Sequence, residues 1–122
     1  GARAQCGWAA LFEIVADEIV GDVCPLFFQL GAPGALAAAC TRAGCRVAAQ
    51  RIVGTTLRHP DDDAACDAAF VGGPVALAWA RFDAATRARV RARYLASIAP
   101  WRDARGRYAI PGEFVVVAAS AP

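Results

Sequence analysis

The sequence predicts an α/β chain: two long strands threaded among five helical segments. Three observations carry that expectation. Apolar residues recur at helical spacing near both ends of the chain, as Trp8, Leu11, Phe12, Val15 and Ile19, and again as Tyr94, Leu95 and Ile98. Residues 46–58 are rich in β-branched side chains and free of proline, and 114–117 is a continuous apolar run. Glycine, proline and aspartate stand where each pattern changes. At 122 residues, 57% hydrophobic and 20% charged, the chain is one domain with material for a core, which excludes a disordered polymer. No apolar run reaches the ~18–20 residues of a membrane span.

The first helix is expected over 8–20, closed by Gly21. Pro25 argues against a central strand in the apolar run 24–30. Pro33 opens a second helix over 33–43 and Gly44 ends it. The strand 46–58 follows, with a bulge expected near Gly54, and His59-Pro60 stops it. Asp61, Asp62 and Asp63 cap a third helix over 61–71, which breaks at Gly72-Gly73-Pro74. A short helix over 75–82 leads to Asp83, the cap of a helix over 84–99 closed by Pro100. A strand over 108–119, interrupted at Ile110-Pro111-Gly112, completes the chain. Two strands make a poor independent sheet, and 114–117 wants cover on both faces, so part of the sheet is expected to be missing. The chain contains no Met, even at position 1, which points the same way: 1–122 is expected to be a single partial domain whose N-terminal portion is absent.

Three stretches in order carry a resemblance: Phe28-Gln29-Leu30-Gly31-Ala32-Pro33-Gly34-Ala35-Leu36; Ala43-Gly44-Cys45-Arg46-Val47 with Thr56-Leu57-Arg58; and Ile98 to Trp101 with the run from Gly106 to Ala119. Together they resemble the C-terminal part of a class I S-adenosylmethionine-dependent methyltransferase of the ubiquinone-methylase-like group. The resemblance spans about residues 28–119. It implies a Rossmann-like fold whose last strand inserts antiparallel between its neighbours, and an acceptor pocket covered by 61–100. It also implies methyl transfer from S-adenosylmethionine to a small-molecule acceptor by the intact enzyme. The glycine-rich cofactor loop of that family is not found, since Gly31/Gly34 and Gly72-Gly73 do not follow a strand. No cofactor-binding residue is therefore assigned, and the chain alone is expected to be inactive.

His59 is the one side chain with an ordinary titration near neutrality, and so the candidate general base, against the plainer role of a capping residue. Trp8, Phe27, Phe28, Trp79 and Phe82 are candidates for an apolar acceptor site or for core; Trp79, after a possible lid hinge at Gly72-Gly73, and Phe28 are the choices for substrate contact. Arg87, Arg89, Arg91 and Arg93 form the densest charge cluster. Arg89 and Arg93 are expected to project away from Ala88, Ala92, Leu95 and Ala99, the stems of Arg87 and Arg91 to snorkel over the core, and Asp83 to pair with Arg87; Arg91 is the candidate contact to an acidic substrate. A net charge of +2 argues against a nucleic-acid partner. Five irregularly spaced cysteines and a single histidine predict reduced thiols, no metal site and a cytoplasmic setting. The rival readings are a non-enzymatic α+β binding or assembly module that self-associates through its strand edges, and a nucleic-acid-binding helical module.

Overall fold

In the computed structural model, which describes residues 1–19 and 28–121, the chain runs α1 (Ala9–Ala16), α2 (Ala35–Arg42), β1 (Arg46–His59), α3 (Asp62–Phe70), α4 (Ala76–Arg81), α5 (Ala84–Ile98) and β2 (Tyr108–Ser120). This is the expected order, with shorter helices. The helix α1 stops at Ala16, and Asp17 and Glu18, which follow it, pair with arginines of α5. The expected closures at Val20 and Gly21, and the reading of Pro25 and Phe27, fall outside the described residues. Gly34, with φ of 74°, is the residue ahead of α2, a left-handed conformation that a Cβ would strain, so the helix starts at Ala35 and not at Pro33.

Local caps behave as their chemistry dictates. The Asp61 carboxylate accepts the Ala64 N–H at 2.8 Å, and that of Asp83 accepts the Thr86 N–H at 2.7 Å. Each satisfies an amide that the helix itself leaves open, a contribution of about 1 kcal/mol.

The strands pair antiparallel from Arg46 opposite Ser120 to His59 opposite Tyr108. Two expectations are corrected here. The register shift lies between Val47 and Ala49, not near Gly54, which sits in register opposite Glu113 with open space where a Cβ would be. Nor is β2 interrupted at Pro111. Its carbonyl accepts the Gly7 N–H at 2.8 Å, so that residue's polar groups face away from β1 and the missing N–H costs the ladder nothing.

Helices α1, α3 and α5 enclose the core with the base of β2. Leu11, Val15, Phe70, Val90, Tyr94, Ile98 and Ile110 have no more than 1% exposure. Phe70 stacks on Trp79 at 4.1 Å and meets Tyr94 edge-on at 5.2 Å. Burial drives the Tyr94 phenol far above its usual range, with the indole N–H of Trp8 opposing the shift. Neither the Tyr94 hydroxyl nor Trp8 Nε1 closes a hydrogen bond. At the break between α3 and α4, a Cβ on Gly73 would strike the Ala69 carbonyl, so this corner is closely packed.

The sheet is buried only at one end. Because side chains alternate, the cross-strand pairs His59/Tyr108, Leu57/Ile110, Val53/Phe114 and Arg51/Val116 share a face. Ile110 is fully buried, while Val53, Phe114 and Val116 are 44%, 56% and 52% exposed. On the other face Ile52 is 63% exposed, whereas Val115 and Val117 are half-buried and α2 lies against both strands. The accessible surface is 7272 Å². A compact monomer of this mass exposes about 6,200 Å². No helix among the described residues is long and apolar enough to cross a membrane.

Phe70→Ala is expected to cost about 3–5 kcal/mol by opening a cavity beneath Trp79. Tyr94→Phe removes a buried hydroxyl that lacks a partner, so it is expected to be neutral or stabilising by up to about 1 kcal/mol. Urea unfolding of the two variants checks both, and a Tyr94→Phe loss comparable to that of Phe70→Ala would contradict this account of the core.

Candidate functional site

Where β1 ends and β2 begins, His59 stands opposite Tyr108 and Arg58 opposite Ala109. The connection from α5 folds back on this corner because Asp103 organises it. Its carboxylate accepts the backbone N–H groups of Arg105 and Arg107 at 2.9 Å, and Arg107 Nε at 2.9 Å. Gly106, with φ of 80°, provides the left-handed step between them. The Arg107 backbone N–H, then its guanidinium, holds the Asp103 carboxyl below the usual carboxylate range.

These elements border a half-open cavity of about 320 Å³, lined by Arg58, His59, Trp101, Asp103, Arg107 and Tyr108. That volume lies within the ~300–1,000 Å³ usual for small-molecule sites. One wall is fixed from α3: the Tyr108 hydroxyl donates to Asp62 at 2.8 Å, and the Arg102 guanidinium lies 5.8 Å over the Tyr108 ring and 3.3 Å from the same carboxylate. Burial, and then the Asp62 carboxylate, raises the Tyr108 phenol. Burial alone lowers His59, and its Nε2 is closed to solvent with no hydrogen-bond partner. The ring is thus a neutral wall of the cavity, and proton transfer through Nε2 requires it to turn.

The other sequence-chosen residues lie elsewhere. Phe28 lines a second cavity of about 410 Å³, with Cys6, Trp8, Leu57 and Phe114 among its walls, and meets Phe12 edge-on at 4.8 Å. Trp79 is stacked on Phe70 and covered by the Arg87 guanidinium at 5.5 Å. Phe82 is buried, and Phe27 lies outside the described residues. Arg91 pairs with Asp63 at 2.7 Å. His59, Phe28, Trp79 and Arg91 therefore do not converge on one site.

The arginines of α5 are engaged within the chain. Arg87 donates to the carbonyls of Trp79 and Ala80 at 3.1 Å, so the expected Asp83–Arg87 pair gives way to the Asp83 cap. Arg89 bonds Glu18 at 2.8 Å and Arg93 bonds Asp17 at 2.6 Å, tying α5 to the end of α1. The Arg89 guanidinium keeps the Glu18 carboxyl below its ordinary value.

Among the described residues no glycine-rich turn follows a strand, the placement a nucleoside loop requires. Gly34 opens α2 after a turn, and Gly73 is packed against α3. No three His, Cys, Asp or Glu side chains among the described residues cluster as a metal site. The Cys66 thiol is buried and pushed up to about 11, which leaves it protonated and unreactive at neutral pH. The cavity residues that sequence reasoning missed are Arg58, Trp101, Arg107 and Tyr108. Only the His59–Tyr108 register brings them together.

Because burial lowers His59, the unfolded chain takes up a proton that the native ring refuses as pH falls below about 6.5. Stability is therefore expected to fall with pH through this window, and His59→Gln is expected to flatten the fall. Urea midpoints at about pH 7.5 and about pH 5.5 check it, and equal slopes for both proteins would contradict the buried neutral ring. Comparisons of this chain with family models, curated proteins and solved structures return no match.

Proposed function

We propose that this chain is the acceptor-side, C-terminal portion of a methyltransferase that transfers a methyl group from S-adenosylmethionine to a small molecule. The observation that carries the reading is the uncovered sheet. Leu57 and Ile110 begin an apolar face inside the core, and Val53, Phe114 and Val116 continue it into solvent. On this reading the rest of a Rossmann-like sheet pairs with the free edge of β2 and covers that face, and the cofactor loop belongs to it. Three helices between β1 and β2 and a cavity at the carboxyl end of β1 also fit, because open α/β sheets bind ligands beyond the carboxyl ends of their strands. The expected setting is cytoplasmic, where thiols such as Cys66 stay reduced.

The same exposed strands favour a second reading, a non-enzymatic module in which two copies join sheet to sheet. Two measurements separate the readings. By titration calorimetry the 122-residue chain is expected to show no heat with S-adenosylmethionine, whereas the polypeptide including the residues encoded upstream is expected to bind it and to methylate an acceptor. Micromolar cofactor binding by the 122-residue chain itself would refute the first reading. By light scattering, a dimer abolished by Val116→Lys supports the second reading, and a persistent monomer removes it.

A further inference from the structure

We propose that Cys40 and Cys45 form a redox site: a dithiol that exchanges with low-molecular-weight disulfides and, once oxidised, fastens the end of α2 to the start of β1. The geometry comes from how α2 stops. Gly44, with φ of 82°, takes a left-handed step just past the helix. Its N–H donates to the Thr41 carbonyl at 2.9 Å, and the Cys45 N–H reaches back over it to the Cys40 carbonyl at 3.0 Å. In this paired closure of a helix end, the side chains of the two outer residues meet. Both of those residues are cysteine. Each Cα lies one bond beyond the nitrogen or the carbonyl carbon of that 3.0 Å hydrogen bond. The two Cα atoms are therefore less than about 7 Å apart, the span a disulfide bridges.

Both thiols are free and half-buried, within reach of a small reagent, whereas Cys66 is buried and its thiol is pushed up to about 11. The exchange runs in two balanced steps. One cysteine sulfur attacks the small disulfide, its S–S bond breaks, and the expelled thiol carries off the cysteine proton. The second cysteine then attacks the sulfur of the first, expelling a second small thiol with the second proton. The pair is oxidised, the small disulfide is reduced to two thiols, and excess thiol reverses both steps. In a reducing compartment such a bond is transient. While it lasts it pins α2, which lies against both strands on the face where Val115 and Val117 are half-buried. The site is built from one helix end, so the inference depends on neither reading of the sheet.

The test equilibrates the 122-residue chain carrying Cys6→Ser and Cys24→Ser with mixtures of oxidised and reduced glutathione, then quenches with iodoacetamide. Trypsin cuts after Arg42 and Arg46, so the bond is read as a covalent link between peptides 4–42 and 43–46. The ratio of disulfide to dithiol is expected to be at least about tenfold higher for the native chain than in concentrated urea, because the fold holds the pair together. Oxidation is expected to slow amide exchange at Gly44 and Cys45 about tenfold and to leave α5 unchanged. A further Cys45→Ser change is expected to leave Cys40 carrying glutathione in place of the bond. Equal ratios in buffer and in urea overturn the proposal, as does a link from either cysteine to Cys66. So do a lasting glutathione adduct on the intact pair, an unmodified Cys40 in the Cys45→Ser chain, and amide exchange that oxidation does not change.

Discussion

The constraint on which the structure depends is that a two-stranded antiparallel ribbon cannot bury its own apolar face. Each strand contributes a side chain to that face at every second residue, and a ribbon of two strands is stable in water only where something packs on it. Here α1, α3 and α5 satisfy that condition at one end, around Tyr108 and Ile110. Beyond Gly112 they do not reach. Val53 and Phe114 continue the same face outward with about half of each side chain in water. Single exposed apolar residues are normal on a protein surface, whereas these form a row continuous with the core.

The helical layer is held by a different balance. Four arginines on one short helix would repel one another if left in solution, and each instead meets an acceptor in the chain: Arg89 and Arg93 the carboxylates after α1, Arg91 that of Asp63, Arg87 two carbonyls and the Trp79 face. Exposed pairs of this kind contribute about 0–1 kcal/mol each. Their greater effect is geometric, because they fix α5 against α1 and α3 and so set where β2 starts. The charge row that invites a nucleic-acid reading thus serves the packing of three helices.

Features set by neighbours in sequence were legible, and features set by neighbours in space were not. Asp61 and Asp83 cap their helices because an aspartate three residues before an open amide has only local geometry to satisfy. The strand over 46–58 follows from its β-branched run. The bulge and the supposed break at Pro111 were misread for one reason. Whether a residue's backbone must pair depends on which edge it occupies, and only the pairing with β1 and the Gly7 contact determine that. The site was hidden in the same way. His59 stood out as the single histidine, but Arg58 is one arginine among thirteen, and Trp101 and Tyr108 lie more than forty residues away in the chain.

Among the described residues, Arg58 stands outside the ion pairs at this end of the sheet. The Asp62 carboxylate, a few residues away, already accepts the Tyr108 hydroxyl and faces Arg102, and Asp63 holds Arg91. Arg58 lies across from Ala109, a residue with nothing to pair, at the last strand residue but one. The second cavity is mainly apolar, and the Glu113 carboxylate at its rim is bonded to the Ala2 amide. The two cavities thus differ in character, one bordered by ionic side chains and the other mainly by apolar ones.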